Sequence, residues 1–252
     1  MNYNKIAEKL DNAALFGNAI NQISLEYELN LDQAYGIQSI SLARRYIRGE
    51  KLVGLKMGFT SKAKMEQMGV HDLIWGRLTN HMEIKSGHSV SLDKFIHPRA
   101  EPEIAFLLND EVLEEFSVDS VKGKVESVAI AIEIIDSRYT NFKFSLEDVV
   151  ADNCSSAGFI LGDWKEATTN IENIKMSLSI DDKIIHAGNS NAIMGNPWES
   201  LVSAMRLAKE NGEILKAGSI ILAGAATPAE YLKENQKIVA EADSLGKVTF
   251  KT

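Results

Sequence analysis

The chain contains a single cysteine, Cys154. One cysteine excludes an intramolecular disulfide, and the sequence has no Cys-x-x-Cys pattern that would indicate a structural zinc site. A lone cysteine beside alanine and serine residues is more often a small buried side chain than a nucleophile. We therefore do not expect thiol chemistry.

Basic charge is also scarce. The 27 Lys and Arg residues face 35 Asp and Glu residues, which gives a net charge of -8 and a pI near 5.2. Nucleic acids and anionic membranes favour clustered Lys and Arg, so this balance argues against both as partners. No apolar run approaches the length of a membrane span, and the first residues, MNYNKIAEKL, lack the pattern of a signal peptide. We expect a cytoplasmic protein that acts on a small molecule.

The composition does not indicate disorder. Hydrophobic residues make up 45% and charged residues 25% of the 252 residues, which is ordinary for a globular protein. This length fits one large domain, or one domain with a small appendage. We expect a helical N-terminal portion over residues 1–70 and a β-rich catalytic domain over residues 71–252.

Three helices are predicted from caps and spacing. The first follows Asn30 and runs over Leu31–Arg48, with apolar residues at helical spacing. A short helix is predicted from Ser61 to Met68. The third begins after Asn196, which Pro197 follows at the first helical position, and ends before Gly212.

Strands are predicted over Lys51–Gly58 and Ser219–Ala223, followed by a turn at Gly224 and a hairpin from Lys237 to Phe250. Further short apolar segments alternate with turns from Glu83 onward. The strands cluster without regular strand-helix alternation, so the pattern predicts an α+β fold with a mainly β core.

The pair Glu101 and Glu103 lies in the stretch HPRAEPEIAFLL. Residues two apart in a strand point to the same face, so these carboxylates are expected to project together. A solvated face of a half-exposed strand is the bland explanation for such a pair. If the pair is buried, however, the cost of desolvating two charges requires a cation or a protonated partner.

Glu133 favours the second explanation. It interrupts the apolar run VAIAIEIID, which is typical of a buried strand, where an unpaired carboxylate is unusual. Ala129 and Ala131 are expected on its face and leave room beside it. Three convergent carboxylates would suit a hard divalent ion such as Mg²⁺ or Mn²⁺.

Several ordered motifs resemble the fumarylacetoacetate hydrolase superfamily, and within it the branch that holds 2-keto-4-pentenoate hydratases and 4-oxalocrotonate (2-oxo-3-hexenedioate) decarboxylases. The similarity runs over most of the chain and is densest from Gly54 to Gly162. The motifs are GLKMGFTSKAKMEQMGV (54–70), LIWGRL (73–78), HPRAEPEIAFLL (97–108), AIEIIDSRY (131–139) and VADNCSSAGFILG (150–162).

The resemblance implies a roll of mixed β-sheets, a divalent metal bound by Glu101, Glu103 and Glu133, and an active-site lysine at Lys56. From local sequence alone, Lys56 would be an exposed strand lysine. The resemblance makes it the cationic partner of a substrate carboxylate or enolate oxygen, and a group that can transfer a proton.

The segment Ile74-Trp75-Gly76 separates the two activities of the branch. Hydratases tend to carry an acidic residue just before the equivalent glycine, and adding water to a double bond needs an acid or base. Here that residue is missing, although Asp72 is nearby. The sequence therefore favours decarboxylation of 2-oxo-3-hexenedioate in aromatic catabolism, with hydration of 2-hydroxypenta-2,4-dienoate as the alternative and a non-catalytic hydratase partner as a third reading.

The substrate chemistry explains why a metal would suffice. The C1 carboxylate and C2 ketone of 2-oxo-3-hexenedioate can chelate one metal ion, and charge flows onto the ketone oxygen when carbon dioxide leaves. A metal stabilises that charge in the transition state. We therefore expect no organic cofactor and no Schiff base.

Five further positions complete the expected site. Asp152 could orient Lys56 or a metal-bound water, and Ser155 and Ser156 could hydrogen-bond a substrate carboxylate. A helix cap and turn would explain the same three residues equally well. Thr227 in AGAATP is expected to meet the substrate, and Arg99 could pair with the glutamates, bind substrate or brace a turn.

The resemblance also bears on partners. The expected ligand is a small oxo-diacid. Because enzymes of this branch can associate, we expect a homo-oligomer and consider a complex with a 2-keto-4-pentenoate hydratase.

Overall fold

The computed structural model of the protein describes residues 1–61, 65–66, 72–110 and 117–252. Most of the predicted helix from Ser61 to Met68 lies outside these residues. The described α-helices are α1 (Tyr3–Phe16), α2 (Leu31–Ile47), α3 (Val118–Lys122), α4 (Leu146–Ala151) and α5 (Pro197–Glu210). None of the described helices is both long enough and apolar enough to cross a membrane.

The two long predicted helices are confirmed, with their caps. The Asn30 side chain accepts a hydrogen bond from the Gln33 amide, and the Gln33 side chain accepts one from the Asn30 amide. The backbone N-H groups of Asn30 and Gln33 are therefore both paired at the start of α2. Helix α5 begins at Pro197 after the Asn196 cap. It ends two residues before Gly212, as expected.

The strands account for most of the remaining regular structure. They are β1 (Leu52–Gly58), β2 (Ile74–Thr79), β3 (Glu83–Ile84), β4 (Arg99–Leu108), β5 (Val125–Ile135), β6 (Ser156–Leu161), β7 (Lys165–Glu166), β8 (Lys175–Ile180), β9 (Lys183–Asn189), β10 (Ile220–Ala225), β11 (Glu230–Tyr231), β12 (Lys237–Ala242) and β13 (Gly246–Lys251).

The larger sheet is mixed. Its main path runs β2-β1-β10-β4-β5-β6-β3, with β11 paired to β4 and β7 paired to β5. Strands β1 and β10 pair in parallel, as do β3 and β6, and the other pairs are antiparallel. The long apolar strands β4 and β5 lie at its centre, and both are buried along most of their length. The predicted α+β class with mixed sheets is confirmed.

A second sheet has the order β13-β12-β8-β9 and includes the predicted C-terminal hairpin. Apolar residues of both sheets and of α5 share one buried core. Helix α5 packs on the large sheet through the tilted ring contact between Trp198 and Phe106, and through the Ser200 hydroxyl, which donates to the Ala223 carbonyl.

The N-terminal helices form a smaller apolar cluster with α4. Ile6 and Leu10 of α1 pack there with Ile37 of α2 and with Tyr139. Strand β1, which precedes residue 70, lies inside the large sheet between β2 and β10. The proposed division of the chain at residue 70 stays a prediction.

The predicted turn at Gly224 is wrong. Gly224 lies within β10, where the register with β4 shifts between Leu222 and Ala225. Its φ of 107° is in the region that favours glycine, and a Cβ there would collide with the Thr60 side chain. The glycine therefore permits an irregular strand and a close approach rather than a change of chain direction.

Candidate metal centre and active site

The three glutamates meet on one face of the central strands. Glu101 in β4 is directly opposite Glu133 in β5, and Glu103 lies two residues further along β4, opposite Ala131. One carboxylate oxygen from each of the three lies within 4.8 Å of the others. The predicted shared face, including the small Ala131 beside Glu133, therefore produces a compact cluster of acidic oxygens.

The cluster is buried at its inner end. Glu103 and Glu133 are fully buried, whereas Glu101 is partly exposed and lines a pocket of about 620 Å³. Glu103 Oε2 accepts a hydrogen bond of 2.7 Å from the Gly224 amide. Burial raises the pKa of Glu103 well above its ordinary value, and the charges of Glu133 and Glu101 raise it further.

This arrangement fits a divalent cation. Glu103 Oε1 is buried without a hydrogen-bond donor among the described residues, so it is an acceptor that lacks a partner. All donor atoms of the cluster are carboxylate oxygens, which hard ions such as Mg²⁺ and Mn²⁺ prefer. Such an ion would supply the opposite charge that three adjacent carboxylates require.

Lys56 reaches the same cluster from β1. Its partner across the parallel pair is Leu222 of β10, which in turn is opposite Ala105 of β4, so Lys56 projects from the same face of the sheet as the glutamates. Its Nζ lies 2.9 Å from Glu133 Oε2 and 3.3 Å from the Cys154 carbonyl. Burial alone would lower the pKa of Lys56, but the charges of Glu133 and Glu101 raise it, which favours the ammonium form of the side chain.

The turn that follows α4 forms one wall of this site. Asn153, Cys154 and Ser155 have φ values of 52°, 52° and 58°, and three successive left-handed residues are costly outside glycine. The Asn153 side chain secures the turn by accepting from the Arg77 amide and donating to the Arg77 carbonyl. The strained backbone aims the Cys154 carbonyl at Lys56.

Asp152 lies in the same turn, but its carboxylate is bound by Arg138. The Arg138 Nε and backbone amide donate to it at 2.5 Å and 2.9 Å, and both residues are buried. Burial raises the pKa of Asp152 to about 6, although the Arg138 contacts oppose this shift. The structure thus gives Asp152 a direct contact with Arg138, while its expected effect on Lys56 stays a prediction.

The two predicted serines face different surroundings. Ser155 lines the pocket of about 620 Å³ that Glu101 also lines, which we call the metal pocket. Its buried hydroxyl has no hydrogen-bond partner among the described residues. The Ser156 hydroxyl donates to Glu133 Oε1 at 2.9 Å. The Ser155 hydroxyl is therefore unpaired within the described part of the site, whereas Ser156 orients a candidate metal ligand.

Arg99 and Thr227 both line the pocket. Arg99 donates to the Tyr231 hydroxyl at 2.6 Å and stacks between the rings of Tyr231 and Phe142, at 4.0 Å and 4.1 Å from their centroids. Thr227 donates to the Pro228 carbonyl. These contacts hold a positive side chain at the pocket wall.

Three contributions were missed in the sequence. The Gly224 amide binds Glu103, and Arg138 organises the turn around Asp152. Gly76 lies opposite Lys56 in β2, and a Cβ there would come within 2.6 Å of the Asn153 carbonyl oxygen. Gly76 and Arg138 both occur in motifs that carried the resemblance, which was the available signal, but their partners are far away in the sequence.

The chain belongs to the fumarylacetoacetate hydrolase family: residues 63–251 match the family model described as fumarylacetoacetate (FAA) hydrolase C-terminal. Within that family, it is 47% identical to a 4-oxalocrotonate decarboxylase from Pseudomonas sp. over 252 residues, which cover 100% of this chain and 98% of the relative.

A solved structure agrees with that relationship. The 4-oxalocrotonate decarboxylase from Pseudomonas putida G7, complexed with magnesium and adipate, superposes with a TM-score of 0.95 at 32% identity, covering 99% of this chain and 96% of that one. The 2-keto-4-pentenoate hydratase 1 from Dechloromonas aromatica is also similar, at 32% identity over 86% of this chain and 84% of the hydratase.

Proposed function

We propose that this protein is a metal-dependent carbon-carbon lyase that decarboxylates 2-oxo-3-hexenedioate (4-oxalocrotonate) to 2-hydroxypenta-2,4-dienoate and carbon dioxide in the cytoplasmic breakdown of aromatic compounds. The observation that carries the proposal is the buried cluster of Glu101, Glu103 and Glu133 with Lys56 beside it. The 47% identity to a 4-oxalocrotonate decarboxylase supports the choice of substrate.

Glu101, Glu103 and Glu133 would hold one Mg²⁺ or Mn²⁺ ion, which would act as a Lewis acid toward the ketone oxygen of an oxo-acid. The chain itself fixes the positions of these ligands. The Gly224 amide holds Glu103, and the Ser156 hydroxyl holds Glu133. A preorganised ligand set does not need to rearrange while charge moves during the reaction.

Lys56 supplies a hydrogen-bond donor at the edge of this cluster. An ammonium carries three N-H groups, and Glu133 and the Cys154 carbonyl are the acceptors near Nζ among the described residues. At least one N-H group therefore remains for a substrate oxygen. Ser155 and Arg99 line the same pocket and would bind and orient the carboxylates of the diacid.

The pocket wall favours loss of carbon dioxide. Ile74, Ile135, Phe144 and Val149 line it, and an apolar wall disfavours a carboxylate anion relative to neutral carbon dioxide. Hydration would require a group that handles the proton of water. Among the described lining residues, Glu101 is the only carboxylate, and it belongs to the metal cluster.

Asp72 does not supply the missing hydratase carboxylate. Its two oxygens accept hydrogen bonds of 2.8 Å and 2.7 Å from Arg206, and it is absent from the described lining of the pocket. Ile74 lines the pocket instead. These positions support decarboxylation over the alternative of hydrating 2-hydroxypenta-2,4-dienoate.

Product analysis distinguishes a decarboxylase from a hydratase and from a non-catalytic partner. Purified protein with Mg²⁺ should release carbon dioxide from 2-oxo-3-hexenedioate at the rate at which the dienoate appears, and it should not consume the dienoate. Consumption of the dienoate without carbon dioxide release would show that the protein is a hydratase. Inactivity on both compounds, with binding to a hydratase, would identify a non-catalytic partner.

Assembly is a separate part of the proposal. We propose a homo-oligomer that associates with a 2-keto-4-pentenoate hydratase, since a hydratase would consume the decarboxylation product. Sedimentation of the protein alone and with a purified hydratase tests this part. A monomer that does not cosediment with the hydratase would refute the assembly and leave the decarboxylation proposal intact.

A further inference from the structure

A second cavity, of about 590 Å³, lies beside the same turn and shares no described lining residue with the metal pocket. Ser155 faces the metal pocket, whereas Ser156 and Ala157 line the second cavity. The remaining walls include part of α2 and the segment from residue 81 to residue 95. The volume is in the range of small-molecule sites.

Arg45 is one of two buried cations that line this cavity, and Arg138 is the other. Arg45 is 9% exposed. Its guanidinium contacts are the Met82 sulfur, 3.9 Å from Nη1, and Asp11 Oδ1, 3.9 Å from Nε. A thioether is a weak acceptor and 3.9 Å is too long for a hydrogen bond between Nε and a carboxylate, so no described oxygen accepts a hydrogen bond from this side chain.

Such an environment is unfavourable for a guanidinium. Burial lowers the pKa of Arg45 and the nearby charge of Arg138 lowers it further, although the charges of Glu50, Asp11 and Asp152 oppose this shift. The acceptors around Arg138 are already in use. Its N-H groups donate to Asp152 and to the Asp136 and Ser156 carbonyls. Arg45 therefore has donors without strong acceptors, next to a second positive charge.

The carboxylates that line the cavity are already engaged. Asp11 accepts hydrogen bonds of 2.7 Å and 2.6 Å from Arg48, and Asp136 accepts from the Ile96 and His97 amides. The third carboxylate, Glu50, accepts from Thr79. The five Lys and Arg residues of the lining outnumber these three carboxylates in a chain whose net charge is -8.

We propose that this cavity is a binding site for a small oxyanion, which Arg45 binds directly through its free N-H groups. A planar guanidinium binds carboxylate or phosphate oxygens in pairs, and both inorganic phosphate and a short dicarboxylate offer such pairs. The exposed lysines Lys85 and Lys94 at the cavity add attraction but no fixed geometry. The proposed anion contact with Arg45 involves none of the metal-cluster residues and does not depend on the proposed decarboxylation.

Titration calorimetry with inorganic phosphate, and separately with succinate, on protein that has been stripped of metal and then desalted to remove the chelator, tests the proposal. The wild-type protein should bind at least one of them saturably with one site per chain, and the tighter ligand identifies the source of the anion. Arg45→Met should weaken binding by at least about tenfold, and Arg45→Lys, which keeps the charge but loses the fork, by at least about threefold. Lys85→Gln, a control on the same lining, should change it by less than about twofold.

Further measurements separate this site from its rivals. Glu103→Gln should bind the anion as the wild type does, because the metal centre plays no part. The proposal is overturned if neither anion binds saturably, if both Arg45 variants bind like the wild type, or if Lys85→Gln loses as much affinity as they do. It is also overturned if Arg45→Met lowers the sedimenting mass, which would show that Arg45 pairs with a carboxylate of a second copy.

Discussion

Lys56 and Glu133 form a buried ion pair, with Nζ 2.9 Å from Oε2, although their strands are separated in the sheet by β10 and β4. With Glu101 and Glu103 ionised, three negative charges and one positive charge leave two negative charges uncompensated. One divalent cation neutralises that remainder. Because Lys56 neutralises one of the three glutamates, the net charge of the cluster matches a divalent cation.

Lys56→Met should lower kcat for decarboxylation by at least about 100-fold, because it removes a charged donor where negative charge develops. Magnesium affinity should be unchanged or tighter, because the ammonium no longer competes for Glu133. Single-turnover assays and calorimetry measure the two quantities. A variant with near wild-type kcat would exclude Lys56 from the chemistry, and one with lost metal affinity would show that Lys56 only supports the fold of the site.

Glu103→Gln, unlike Lys56→Met, should weaken magnesium binding. Loss of one carboxylate should weaken magnesium binding by at least about 100-fold, more than loss of a residue that only contacts a metal ligand. In EDTA the variant should unfold at a higher temperature than the wild type, because burial and neighbouring charges make ionised Glu103 unfavourable in the folded protein. Calorimetry and thermal unfolding measure both effects. Unchanged magnesium affinity would contradict the proposed ligand set.

Adjacent serines provide a matched pair of variants. Ser156→Ala removes the hydrogen bond to Glu133 and should weaken magnesium binding by about 10-fold to 100-fold. Ser155→Ala removes a hydroxyl that has no described partner, so it should raise KM for the diacid and leave magnesium affinity unchanged. Metal titration and steady-state kinetics of both proteins check this. Equal metal affinities in the two variants would refute the assignment.

Asp11 should make the stability of the protein dependent on pH. Burial alone would raise the pKa of Asp11, but hydrogen bonds from Arg48 and Arg44 lower it below the ordinary value. A lowered pKa stabilises the fold above the unfolded value, about 3.9, and this contribution is lost as pH falls further. Asp11→Asn should therefore lower the free energy of unfolding at pH 7 by about 1 to 2 kcal/mol, since both arginines are about one-third exposed.

Urea unfolding of the Asp11 variant at pH 7 and at pH values below about 4 should show the difference from wild type narrowing with acid. Glu8→Gln is the control, because Glu8 also contacts Arg44 but is exposed, so its loss should cost less than about 0.5 kcal/mol. If the Asp11 and Glu8 variants have the same stability at pH 7, the ion pairs between α1 and α2 do not hold the helices together.

Part of the glutamate cluster was predictable because its information is local. A period of two within β4 gives Glu101 and Glu103 a shared face, and the apolar run around Glu133 indicates that this residue is buried. That Glu133 meets the pair depends on β5 lying beside β4, which no local pattern specifies. Lys56 was not predictable in that way, because its contact with Glu133 depends on β10 being inserted between β1 and β4. Only the resemblance of whole motifs to a family revealed it.

The errors and omissions have a similar cause. Gly224 was interpreted as a turn, but its role depends on Thr60, more than 160 positions earlier in the chain. Arg138 was overlooked because it follows the end of β5, where neither strand periodicity nor helix spacing applies. Its partner Asp152 becomes a neighbour only because the chain reverses direction between β5 and the antiparallel strand β6.

The central claim is that the three glutamates hold the metal on which decarboxylation depends. The direct measurement is carbon dioxide release from 2-oxo-3-hexenedioate by protein stripped with EDTA and then titrated with Mg²⁺. We predict no release from the stripped protein, and recovery that saturates at one bound Mg²⁺ per chain and fails in Glu103→Gln. Full activity of the stripped protein, or equal recovery in Glu103→Gln, would contradict the claim.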